Sequence, residues 1–147
     1  MSTATVKKIL CPVDFSQNSE LVAARAVAVA KTYNAPLEFI FVSPLLTDIG
    51  GHQEIEIQKL QDMEHHILSS AAASMEKFIK TNAAGVQATG RAVPGNPAEA
   101  ILQRAEESGA DLIVIGTRGR KGFDNILFGS VAEKVVRLAK VSVLVAR

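Results

Sequence analysis

The sequence predicts a doubly wound α/β domain, a parallel sheet of five strands with helices on both faces. Three observations predict it. Strand-like and helix-like segments alternate without exception along the chain. Four of the five strand segments are near-continuous apolar runs, as strands buried on both faces must be. The length of 147 residues suits a single domain with a full core, so residues 1–147 are read as one unit.

The elements follow in order. "KILCPV" (8–13) is a short apolar run closed by Asp14, with Pro12 marking the strand's exit. Ser16, Asn18 and Ser19 offer caps for a helix that continues to about Tyr33, with Leu21, Val22, Ala26, Val29 and Ala30 on its apolar face and Asn34 closing it. "LEFIFV" (37–42) is the second strand. Residues 43–52, with Pro44, Gly50 and Gly51, form a loop, and a long helix spans 54–81 with a stripe of Leu60, Met63, Ile67, Ala71, Met75 and Phe78. "VQATGRAV" (86–93) is a third, weaker strand. "GNPAEAIL" is a dense start signal, with Asn96 as cap, Pro97 in the first helical position and Glu99 completing a capping box; that helix ends near Gly109. "DLIVIG" (111–116) is the fourth strand. Ser130 opens the last helix, to about Ala139, and "VSVLVA" (141–146) is the fifth strand.

Composition excludes several functions. Hydrophobic residues make up 48% and charged residues 21%, and the net charge of +1 leaves no broad basic field for nucleic-acid phosphates. No apolar run would span a membrane, and "ILCPV" is too short for a signal-peptide core. The single cysteine, Cys11, allows no intrachain disulfide and reads as a buried thiol, which fits a reducing cytoplasm.

In such a sheet, ligands bind beyond the carboxyl ends of the strands, where strand order reverses. Asp14, Val42 and the segment "GTRGRKGFDNILFGS" (116–130) all start from such ends. Gly116 and Gly119 can adopt positive φ and admit a ligand close to the backbone. Gly129 and Ser130 stand at a helix start, where free N–H groups form an anion site. Arg118, Arg120 and Lys121 add charge. Neither a Walker A loop nor a G-x-G-x-x-G fingerprint is present. The residues alone leave open whether this is a phosphate cradle or a solvated polar loop. Asp14 can equally cap the first helix, and Ser130 can close a capping box with Glu133. The adjacent His65 and His66 face different directions on a helix and make no metal site. Met63 and Met75 read as core packing.

The spacing Gly116-x2-Gly119-x9-Gly129-Ser130 resembles the ATP-binding signature of the universal stress protein family, G-x2-G-x9-G-[ST]. "ILCPVDFS", "GNPAEAIL" and "DLIVIGTRGR" resemble the family's first strand, third helix start and fourth strand with its loop, so the likeness covers the whole chain. The resemblance implies the adenine nucleotide alpha hydrolase-like fold, an open parallel sheet in the order 3-2-1-4-5. It implies ATP as ligand, with Mg2+, AMP or ADP as variants on that theme. Pro12, Val13 and Asp14 would border the adenosine, Val42 would offer its backbone to adenine, and Gly116, Arg118, Gly119, Gly129, Ser130 and Val131 would surround the ribose and phosphates. It implies a homodimer along the last strand, from Val141 to Ala146, where Ser142 replaces a proline common in the family. The function so implied is a nucleotide-dependent regulatory or stress-response module. A slow ATPase or phosphotransferase using Asp14 or Asp124, and a nucleotide-free dimeric scaffold, are the alternatives.

Overall fold

The computed structural model describes residues 5–44, 54–117 and 129–147. Strands and helices alternate through them: β1 (Ile9–Pro12), α1 (Gln17–Tyr33), β2 (Leu37–Ser43), α2 (Glu54–Asn82), β3 (Ala88–Pro94), α3 (Pro97–Ser108), β4 (Leu112–Gly116), α4 (Ser130–Leu138) and β5 (Ser142–Ala146). The sheet runs β3-β2-β1-β4-β5, and every pairing is parallel. β1 sits at the centre, with Ile9 in register with both Leu37 and Leu112. Its neighbours leave it in opposite directions, so strand order reverses between β1 and β4.

Alternate residues of the strands feed two cores. Cys11, Phe39 and Val114 pack with Val22 and Ala26 of α1 and with Met75 and Phe78 of α2. Leu10, Ile40 and Ile113 pack on the other face with Ile101 of α3 and Val135 of α4. Burial pushes the Cys11 thiol pKa well above its ordinary range, so it stays protonated and inert. Gly90 is needed for the first core: a β-carbon there would lie 2.2 Å from Met75 Cγ, so α2 lies directly on the β3 backbone.

The helix ends follow their chemistry. Asn34 closes α1 in the left-handed region at φ 51°, and Gly109 closes α3 at φ 72°. Asn96 Oδ1 accepts from the Glu99 N–H at 3.2 Å. The Glu99 carboxylate lies 3.8 Å from Lys134 Nζ.

Three apolar expectations do not hold. Leu21 is 42% exposed, because α1 buries Ser19, Val22, Ala23, Ala26, Val27 and Ala30 instead. Met63 is 54% exposed. A helix of 29 residues is about 43 Å long, while seven-residue β3 spans about 23 Å. Only the second half of α2 therefore finds sheet to cover. β5 is a sheet edge with a half-buried pattern rather than a strand buried on both faces. Among the described residues, no helix is long and apolar enough to cross a membrane.

The amino end of the sheet is closed by charge. Glu38, in β2, is 5% exposed; its Oε1 accepts from Arg104 Nε at 2.5 Å and its Oε2 from Arg104 Nη2 at 2.8 Å. The Asp111 carboxylate accepts from the Lys7 N–H at 2.9 Å and the Lys8 N–H at 3.1 Å. The Arg104 fork, followed by nearby cations, holds the Glu38 carboxyl below the usual carboxylate range against the opposing effect of burial.

Candidate functional site

At the opposite, carboxyl end the β1/β4 crevice opens into a cavity of about 250 Å³. Three strand ends form its floor and walls: Pro12, Val13 and Asp14 after β1, Ile40 and Val42 on β2, and Ile115, Gly116 and Thr117 on β4. Three helix starts form the rest: Asn18, Ser19 and Val22 of α1, Pro97 and Ile101 of α3, and Gly129, Val131 and Ala132 at α4. The floor is aliphatic and the rim polar, the usual division in a small-molecule site.

Asp14 is held by its own turn. Oδ1 accepts from the Ser16 N–H at 3.0 Å and from Ser19 Oγ at 2.8 Å, while the Asp14 N–H donates back to Ser19 Oγ at 2.9 Å. The carboxylate thus does serve the start of α1, and it lines the cavity as well. Ser16 occupies the N-cap position, but its hydroxyl makes no cap bond. Between Asp14 and Ser16, Phe15 sits at φ 65°. That conformation costs a residue with a side chain about 1–2 kcal/mol.

The glycine at the far side of the cavity has a different purpose from the one its type suggests. Gly129 caps α4 with extended backbone at φ -71°, and its N–H donates to Thr117 O at 2.8 Å. A β-carbon on Gly129 would stand 3.1 Å from that same oxygen. Close approach favours glycine here, since any side chain would push against that oxygen. The bond joins the two ends of the segment 118–128, so β4 and α4 meet at one point of the cavity rim.

Several expectations change accordingly. The Gly129 N–H is already used, so the N–H groups of α4 without an intrahelical acceptor are those of Ser130, Val131 and Ala132, open among the described residues. Ser130 is the first helical residue, exposed, and the N-cap position belongs to Gly129, which has no side chain, so the Ser130–Glu133 capping box does not form. The Glu133 carboxylate lies 3.8 Å from Arg137 Nη1. Gly116 ends β4 in strand conformation, in register with Ala146, so positive φ is not its role. Arg118 and Gly119, with Arg120, Lys121 and Asp124, lie outside the described residues.

Pro12, Val13, Asp14, Val42, Gly116, Gly129 and Val131 are brought together on the cavity. Sequence reasoning missed Ile40, Ile115 and Thr117, although strand alternation signals the first: Ile40 lies two residues before Val42 on the same face. It also missed the contribution of α1 and α3 side chains. Ser19 carried a readable signal, a hydroxyl one turn into the helix behind Asp14.

An open parallel sheet with a cavity at the strand-order switch defines a doubly wound α/β domain, a class whose ligand sites lie at that switch. The universal stress protein family model matches residues 5–147, and the chain belongs to that family. Universal stress protein MJ0531 of Methanocaldococcus jannaschii is 34% identical over 145 residues, covering 96% of this chain and 82% of the relative. The solved structure of protein MJ0577 of the same organism superposes with a TM-score of 0.84 at 27% identity, covering 97% of this chain and 96% of that one. The universal stress protein of Archaeoglobus fulgidus, solved in complex with dAMP, superposes with a TM-score of 0.63 at 25% identity and covers 96% and 98% of the two chains.

Proposed function

We propose that the chain binds an adenine nucleotide, ATP in the first place, in the β1/β4 cavity and acts as a nucleotide-dependent regulatory module. The observation that carries this reading is the cavity's construction, with an aliphatic slot at one end and the open first turn of α4 at the other. Ile40, Val42, Ile101 and Ile115 suit a planar base, with Pro12, Val13 and Asp14 bordering the adenosine. The donors of Ser130 and Val131 suit phosphate. Gly116 and Gly129 leave room for it beside the backbone. Arg118 and Gly119 complete the glycine-spaced signature and are assigned to the same phosphates. At about 250 Å³ the described cavity is slightly smaller than the ~300–1,000 Å³ of common ligand sites, which fits a nucleoside whose phosphates lie at the mouth. The dAMP bound by the Archaeoglobus fulgidus relative supports the same ligand class.

Binding is favoured over turnover. Phosphoryl transfer needs groups that stabilise the transition state beyond the ground state. Backbone donors and a serine hydroxyl hold both about equally, and Asp14 Oδ1 is committed to Ser16 and Ser19. Hydrolysis is expected well below the ~1–100 s⁻¹ of kinases. Mg2+, when it enters, would come with the phosphates. Calorimetry with ATP, ADP and AMP tests the reading, and a micromolar Kd corresponds to ~8 kcal/mol. A folded protein that binds none of the three overturns it. A steady-state ATPase rate inside the kinase range would instead make the protein an enzyme.

We also propose a homodimer through the segment Val141 to Ala146, which contains β5. β5 is a sheet edge, and in α4, the helix that precedes it, Val136 is 43% and Leu138 50% exposed. An edge of this kind is a template for pairing. Light scattering should give the dimer mass at micromolar concentration; a monomer with and without ATP overturns the proposal. The cytoplasm, where ATP is available, is the compartment this reading assigns.

A further inference from the structure

The cavity lies among the side chains of the α3/α4 face, yet one of its borders is set from the other face of the sheet. Phe15 follows Asp14 directly and occupies the left-handed region at φ 65°. A bulky side chain rarely adopts that conformation unless something holds it there. Here the holder is visible. The Phe15 ring stacks on Phe41 with centroids 5.2 Å apart and planes at 20°. It also meets the Phe78 ring of α2 edge-on, at 5.8 Å and 68°. Phe78 in turn meets Phe39 edge-on at 5.4 Å. Phe15 thus belongs to the α1/α2 core, while its neighbour Asp14 lines the cavity.

We propose that Phe15 is a positioning residue for ligand binding, and that its aromatic clamp couples the site to α2. The inference rests on the nucleotide reading above. The clamp holds the backbone in the one conformation that turns the Asp14 carboxylate back onto the Ser16 N–H and Ser19 Oγ. Without the ring, residue 15 relaxes to negative φ, the chain direction after Asp14 changes, and these bonds are lost. By reciprocity, a ligand that fixes Asp14 also fixes Phe15 and through it Phe78. Phe78 lines no part of the cavity, so an effect of Phe78 on affinity has no direct explanation.

The test uses ATP and the full chain. Phe15→Leu and Phe78→Leu keep an apolar side chain and remove the ring contacts. Met75→Ala, on the same helix and in the same core, removes comparable packing and leaves all the ring pairs of the clamp present. Calorimetry should show ATP bound at least about ten-fold more weakly by the two Phe variants and within about two-fold of wild type by Met75→Ala. In fluorophenylalanine-labelled protein, the fluorine resonance assigned to Phe78 by its loss in Phe78→Leu should move on ATP addition, and should stay still in Phe15→Leu. Equal weakening in all three variants, unchanged affinity in Phe15→Leu, or a Phe78 resonance indifferent to ATP in wild type would overturn the proposal. If Phe15→Leu does not fold, Phe78→Leu decides by the same two criteria. Wild type that binds no ATP sinks the nucleotide reading and this one with it; wild type that binds ATP while both Phe variants match it sinks this one alone.

Discussion

The two ends of the sheet are built from the same strands and are finished in opposite ways. At the amino end, polar groups are paired with one another. Arg104 grips Glu38 through two bonds, and the Asp111 carboxylate accepts from two successive backbone N–H groups. At the carboxyl end, polar groups surround a cavity, a helix starts on a glycine cap that offers no side chain, and Phe15 stores backbone strain. The parallel arrangement imposes this division. Every connection from a strand's carboxyl end must turn into a helix, so helix starts and their donors gather there. The amino end is left to close the fold. The difference teaches that stability and ligand affinity should be separable by position in this protein.

The largest expected effect falls at the amino end. Arg104→Met leaves the Glu38 carboxylate buried without its fork, and breaking a buried pair in this way costs about 3–5 kcal/mol. Urea denaturation should show that loss, while the ATP affinity of the remaining folded protein stays within about two-fold. A large loss of affinity would erase the separation between the ends. The same variant should change the acid limb. In wild type the folded-state pKa of Glu38 is depressed, so its contribution is fully present above the ordinary carboxylate pKa of about 4.3 and fades as pH falls through the folded value. Without Arg104 the largest lowering cause is gone and burial is opposed only by the charges of Lys8 and Arg91, so that pKa rises. The stability that Glu38 lends above the carboxylate range then shrinks, and less of it is lost on acidification. Denaturation midpoints from about pH 3 to pH 6 would reveal the changed slope, and parallel curves for the two proteins would contradict it.

The next effect belongs to the carboxyl end. Gly129→Val places a branched side chain against Thr117 O, where even a β-carbon stands 3.1 Å away. The Gly129 N–H to Thr117 O bond must lengthen, and the first turn of α4 shifts from the rim. ATP should bind about 100-fold more weakly, which is about 2.7 kcal/mol. Gly116→Val should also weaken binding, because its side chain stands at the cavity wall. Valine is at home in a strand, so the fold should survive. Wild-type calorimetric affinity in either folded variant would remove that glycine from the site.

The contrast between the ends also explains what the sequence could reveal. Alternating apolar segments are a local signal, and they disclosed the strands, the helices and the start of α3 at Asn96 and Pro97. The spaced glycines disclosed the segment between β4 and α4. The amino-end lock was not legible. Glu38 interrupts an apolar strand, which demands a partner, but nothing local names Arg104, 66 residues away. Phe15 was missed for a related reason: its left-handed backbone is imposed by rings from β2 and α2, not by any turn preference of its own. Gly129 was recognised for the right place and the wrong cause, since only the fold shows Thr117 O behind it. Met63 failed because periodicity marks an apolar face without telling how far the sheet beneath it extends.

The smallest effect provides the strictest check, because it concerns a structural residue standing at the functional end. Asn96 precedes Pro97, which lines the cavity, but Asn96 itself turns its side chain to the Glu99 N–H at 3.2 Å. Its φ of -74° is open to any residue, so a substitution removes the cap bond without straining the backbone. Asn96→Ala should therefore cost about 1 kcal/mol, and Asn96→Gly only a few tenths. For a chain of this size, 1 kcal/mol lowers Tm by about 4 °C. The ATP affinity should not change, because Pro97 fixes its own φ and keeps the first turn of α3 in place. Thermal scans with and without saturating ATP would show this as the same upward shift in both proteins, since ligand stabilisation depends only on concentration and Kd. A smaller shift in Asn96→Ala would mean that the cap supports the site as well as the helix, and that the boundary between the two ends lies deeper in the fold than the cavity rim.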